Sequence, residues 1–108
     1  MRASRPFRAT QLAQLKDPNS AALYLEEALA AGDTDAFKLA LRNVAEARLG
    51  GMSALSERTQ LNREALYRSL SKGGNPTLET LTKVMRALGL RISVTAERMA
   101  AHQLDAAP

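Results

Sequence analysis

The sequence contains no cysteine and no tryptophan, and its one histidine, His102, stands close to the end. Without cysteine there can be no disulfide, no thiolate nucleophile and no cysteine-ligated zinc or iron–sulfur cluster. A single histidine cannot build a multi-histidine metal site, and a Ser-His-Asp triad has no base in the body of the chain. Ser53, Ser56 and Ser69 are therefore not read as nucleophiles. Aromatic residues make up only 4% of the chain. No apolar run approaches the ~20 residues of a membrane span. The opening residues 1–10 are basic but lack the hydrophobic stretch of a secretory signal. The expectation is a cytoplasmic binding protein that is not an enzyme, with no cofactor, no metal and no membrane partner.

What is present is a chain of 108 residues, 45% hydrophobic and 24% charged. That length suits one domain with one modest core, and the abundance of Ala and Leu favours helix. The net charge of +4 is unevenly placed. Residues 50–92 hold seven Lys/Arg against three Asp/Glu, whereas residues 1–49 hold seven against six. A localised basic excess commonly marks nucleic-acid binding, and ordinary solvated helix charge reads the same way by composition alone. The acidic pair Glu26-Glu27 reads as a solvated helix face or as contact with a basic partner.

Residues 1–16 show no clear period and are expected to be a flexible segment. Asp17 and Pro18 mark a helix start, as cap and first helical residue, and Ala22, Leu25, Ala28 and Leu29 follow until Gly32. Asp33 or Thr34 caps the next helix. There Phe37, Ala40, Leu41, Val44, Ala45 and Arg48 form one stripe, which Gly50-Gly51 stops. Residues 52–59 make two turns with Met52 and Leu55 on one side. After a turn at Gln60-Leu61, Asn62 caps a helix whose inward residues are Leu66 and Leu70. Residues 73–76, Gly-Gly-Asn-Pro, end it and read as a structural stop rather than a phosphate cradle. Thr77 caps a fifth helix with Leu78, Leu81, Met85 and Leu88 inward, closed by Gly89. Leu90, Ile92 and Val94 then alternate with polar residues, the pattern of a short strand over residues 90–96. Residues 97–108 read as a flexible tail.

A short helix, a turn and a capped basic helix describe a helix-turn-helix. The major groove of B-DNA, about 12 Å wide, admits one helix; the first helix braces across the backbone and the second presents its N-terminal residues to base edges. Arg63, Glu64, Tyr67 and Arg68 fall outside the Leu66/Leu70 face. Arg can make a bidentate contact to guanine and Glu can accept from cytosine, while Lys72, Asn75 and the capped helix start at Asn62 can hold phosphates. By pattern alone these side chains also fit a solvated surface.

The stretch from about Asp17 to Val94, above all NREALYRSLS followed by GNPT and then KVMRALGLR, resembles the probable addiction-module antidote family, antitoxins with a HigA-like, Xre- or lambda-repressor-type helix-turn-helix. The helix and strand pattern reads as an all-α domain of five helices over residues 17–96 that ends in the strand, and the resemblance implies that it is of the lambda-repressor-like type. It implies operator DNA bound as a homodimer, repression of the protein's own operon, and neutralisation of a RelE/HigB-like toxin. By position, Arg63, Glu64 and Arg68 would read bases, and Ser53, Tyr67, Lys72 and Asn75 would hold the backbone. Three positions depart from the wider repressor pattern: Met52 where Gln often opens the bracing helix, Ser56 where Ala is usual, and Gln60 where Gly often forms the turn. The strand residues Leu90, Ile92 and Val94 are expected to pair with a second copy. The alternatives are a stand-alone or prophage-type repressor without a toxin, or a helical protein–protein adaptor.

Overall fold

The computed structural model describes residues 5–97 and, among them, is all-helical. Six helices follow in order: α1 (Arg5–Leu15), α2 (Pro18–Ala30), α3 (Thr34–Leu49), α4 (Met52–Thr59), α5 (Arg63–Ser69) and α6 (Leu78–Ala87). Four of the starts follow from local chemistry. Asp17, Asp33, Asn62 and Thr77 each accept a backbone N–H of the first turn with a side-chain oxygen, at 2.9–3.1 Å, satisfying a donor that the helix leaves without a partner.

α3 is the centre of the molecule, with α1, α2 and α4 packed on it, while α4 also meets α5 and α6. Its apolar stripe is buried through Ala40, Leu41, Val44 and Ala45, and Leu55, Leu66, Leu70, Val84 and Leu88 complete the core from the second half. Leu66 and Leu70 point inward as their spacing requires. Leu78, expected inward, is exposed, as is Leu29 of the α2 pattern. Val84, which the sequence pattern does not single out, is buried in α6.

Two expectations need correction. The helix count is six rather than five, because α1 occupies residues read as flexible. Its apolar positions give no period, and long-range polar contacts hold it: Arg8 donates to Asn43 Oδ1 and Glu46 Oε2, each at 3.0 Å, and Asn43 in turn donates to the Tyr24 hydroxyl at 2.9 Å. The chain α1–α3–α2 is thereby knitted through the buried Asn43.

The second correction concerns the strand over residues 90–96. No strand occurs among the described residues. A strand requires a partner backbone, and within one protomer no other segment is extended beside it. Leu90 instead closes α6. Gly89 takes the left-handed conformation with φ 80°, Gly89 N–H donates to Arg86 O and Leu90 N–H to Met85 O, and the Leu90 side chain packs on the core. This is the glycine-terminated helix end that satisfies the last carbonyls. Ile92 and Val94 are exposed, Val94 at 94%. Of the expected tail, residues 98–108, with His102, lie outside the described residues, as do residues 1–4 of the expected flexible start.

Candidate nucleic-acid interface

α4, the turn at residues 60–62 and α5 form two short helices joined by three residues. Gln60 is the only non-glycine with positive φ among the described residues, at φ 58° and ψ 26°. A left-handed residue with a side chain costs roughly 1–2 kcal/mol, and the surrounding bonds over-determine the turn. Ser56 Oγ donates to Leu61 O at 3.2 Å. The buried Thr59 hydroxyl donates to Leu55 O and accepts from Leu61 N–H. The two departures at Ser56 and Gln60 are thus linked: the hydroxyl that replaces a methyl group ties down the turn that lacks glycine.

α5 buries Leu66 and turns Arg63, Glu64, Tyr67 and Arg68 outward. With Ser71 they line one open depression. The Arg63 guanidinium lies 5.4 Å from the Tyr67 ring centroid, within cation–π range. The Tyr67 hydroxyl lies 3.5 Å from Ser53 Oγ on α4. That hydroxyl is held below its ordinary phenol value, first by Ser53 and then by Arg63. The structure therefore brings Ser53, Arg63 and Tyr67 together across the two helices. Asn62 is exposed, with its side-chain oxygen given to the cap of α5 through Ala65 N–H.

Lys72 and Asn75 are exposed on the loop after α5. Its anchors are residues that the sequence pattern does not single out. Lys38 of α3 is 4% exposed; its Nζ donates to Gly74 O at 2.5 Å and pairs with Asp35 Oδ1 at 2.8 Å. Asp35 also accepts Gly73 N–H at 3.1 Å, and its carboxyl sits below the ordinary value, chiefly through Lys38 and then through Gly73. Arg42 donates to Leu70 O at the end of α5. Arg48 donates to Leu88 O at the end of α6 and to Lys16 O beyond α1. Arg42 and Arg48 thus meet the carbonyl ends of helices, where positive charge is favoured, and Lys38 meets a carbonyl of the loop itself. No local signal marks these carbonyl contacts, since each acceptor lies 28–40 residues away. Gly74 N–H donates back to Ser71 O at 2.9 Å, so the loop is a fixed turn, as its reading as a structural stop requires.

The described residues contain no group of three His, Asp or Glu side chains placed to hold a metal ion, and no helix among them is long and apolar enough to cross a membrane. They define a small all-helical protein with a braced helix pair and a mixed, arginine-bearing outer face. The chain belongs to the probable addiction module antidote protein family, whose model matches residues 5–96. It is 41% identical over 78 residues to an uncharacterized protein of Haemophilus influenzae, an alignment covering 72% of this chain and 78% of that protein. No solved structure gives a significant match. The family implies a toxin as partner.

Proposed function

We propose that this protein is a HigA-like antitoxin of the Xre or lambda-repressor type, cytoplasmic and without catalytic activity. As a homodimer it binds operator DNA, represses its own operon and neutralises a RelE/HigB-like toxin. The observation that carries the DNA part is the outward face of α5, where Arg63, Glu64 and Arg68 stand clear of the core beside a loop fixed with Lys72 exposed. In this reading Arg63, Glu64 and Arg68 reach base edges, and Ser53, Tyr67, Lys72 and Asn75 meet the sugar-phosphate backbone. Asn62 serves by holding the start of α5. A pairing of residues around Ile92 and Val94 with a second copy would set two α5 helices roughly 34 Å apart, one turn of DNA.

The test separates reading from holding. Arg63→Ala should cost roughly 1–3 kcal/mol on the cognate operator and much less on scrambled duplex. Lys72→Ala should weaken both duplexes about equally. Equal loss on both duplexes for Arg63→Ala would refute the assignment of the recognition face.

A further inference from the structure

α1 and α2 leave a groove of about 460 Å³ between them, on elements other than the α4–α5 pair. Leu15 and Tyr24 contribute to its lining, and Phe7 and Leu23, 59% and 57% exposed, give it apolar rims. Its described lining holds one acidic side chain, Glu27, and no basic one. Residues 17–35 as a whole carry five Asp/Glu and no Lys/Arg. Three of these carboxylates are engaged: Asp17 and Asp33 cap helices, and Asp35 pairs with Lys38. Glu26 and Glu27 are exposed and take part in none of the ion pairs among the described residues. With Leu23 they fall at i, i+3 and i+4, on one face of α2. Arg8, on the neighbouring helix, is occupied by Asn43 and Glu46.

The groove is therefore apolar-rimmed, with Glu27 in its lining and Glu26 beside it on α2, while the Lys/Arg excess of the chain lies away from it in residues 50–92. The sign of the charge selects among occupants. A nucleic acid is repelled by Glu26 and Glu27. A second copy docking by two-fold symmetry would set this acidic face against itself, an unfavourable like-charge arrangement. A cationic amphipathic segment of another protein meets both features, apolar residues entering between Phe7 and Leu23 and basic residues lying over the carboxylates. We infer that the α1–α2 groove is the surface that docks the toxin, through a basic, amphipathic segment of that protein. The inference rests on the antitoxin reading and leaves the α5 face free, so toxin and DNA could be held together.

The experiment titrates the full chain with the product of the reading frame adjacent to its gene, at low and moderate salt, with upstream duplex DNA in parallel. The paired substitution Glu26→Lys/Glu27→Lys should weaken toxin binding at least tenfold, and the wild-type affinity should fall with salt. Leu23→Asn should weaken toxin binding by an amount that does not depend on salt, and its DNA affinity should stay within about twofold of wild type because it changes no charge and lies on elements other than the α4–α5 pair. Hydrogen exchange of the wild-type complex should show new protection in α1 and α2, which decides the matter even if a variant fails to fold by circular dichroism. Unchanged toxin affinity in both folded variants, or protection confined to α5, would overturn the groove assignment alone. A wild-type dimer that Leu23→Asn dissociates would make the groove a self-contact and overturn it too. Absence of any binding by the wild-type chain would instead remove the toxin reading, and the groove with it.

Discussion

Replacing Gly74 with alanine tests whether the loop after α5 is the rigid mount that the account requires. A Cβ at this position would stand 2.1 Å from Arg68 O and 2.6 Å from Ser69 O, both backbone atoms at the end of α5. Cβ contacts below 3.0 Å are essentially never seen, so the loop or the helix end must give by close to 1 Å. The displaced segment carries Gly74 N–H to Ser71 O and Lys38 Nζ to Gly74 O. Overpacking of this kind typically costs about 1–3 kcal/mol, and the rigidity of a backbone neighbour puts the expectation at the upper end, about 2–3 kcal/mol. The neighbouring Gly73 provides the contrast. It has φ +81° but nothing within 4 Å of an added Cβ, so Gly73→Ala should cost only the left-handed penalty, about 1 kcal/mol. Urea unfolding followed by circular dichroism measures both. Binding of random duplex by Gly74→Ala should also weaken, because Lys72 moves with the loop. A Gly74→Ala protein within 0.5 kcal/mol of wild type, or one more stable than Gly73→Ala, would refute the close packing of loop on helix.

Asn62→Ala should lower stability by about 1 kcal/mol through the lost α5 cap, whereas Asn62→Ser should restore most of it; equal loss in both by urea melts would refute a capping role. Folding lowers the Asp35 carboxyl below its ordinary value of 3.8, chiefly through Lys38, so its contribution is present above that value and lost as pH falls through the folded one. Asp35→Asn should therefore be less stable than wild type at pH 7, with the gap narrowing below about pH 4; a gap independent of pH would contradict this. Ile92→Asp should give a folded monomer by light scattering and circular dichroism, since Ile92 is exposed in the protomer, with weakened operator binding and a melting temperature that no longer rises with protein concentration. A wild-type chain that is monomeric at tens of micromolar would contradict self-pairing.

The features legible in the sequence are those decided within one or two turns of chain. The caps at Asp17, Asn62 and Thr77 depend on a side chain and an amide three residues on. The α3 stripe and the inward Leu66 and Leu70 follow from helical spacing. What was not legible depends on distant partners. α1 has no apolar period of its own and is held by Arg8 reaching Asn43 and Glu46. Lys38 and Arg42 look like surface charge in a pattern that counts only apolar positions, and the place of Arg48 on the α3 stripe does not name its partners; together the three fasten α5, α6 and the loop to α3. The alternation at Leu90, Ile92 and Val94 is visible, but a strand is a property of two backbones; in the single chain Leu90 belongs to the closure of α6. For the candidate interface, residue types were legible and support was not: the Ser53–Tyr67–Arg63 grouping and the Ser56 bond to the Gln60 turn appear only once α4 and α5 are set side by side.

The central claim is that the α4–α5 face binds operator DNA through phosphate and base contacts. The most direct measurement is the affinity of the full chain for the duplex upstream of its own gene at several salt concentrations. Each phosphate neutralised releases counterion, so log K should fall linearly with log salt, with a slope near −5 for about six phosphate contacts per dimer. Scrambled duplex should bind more weakly with a similar slope. A flat response, or no binding of the upstream duplex at low salt, would contradict the claim and leave the helix pair without its assigned ligand.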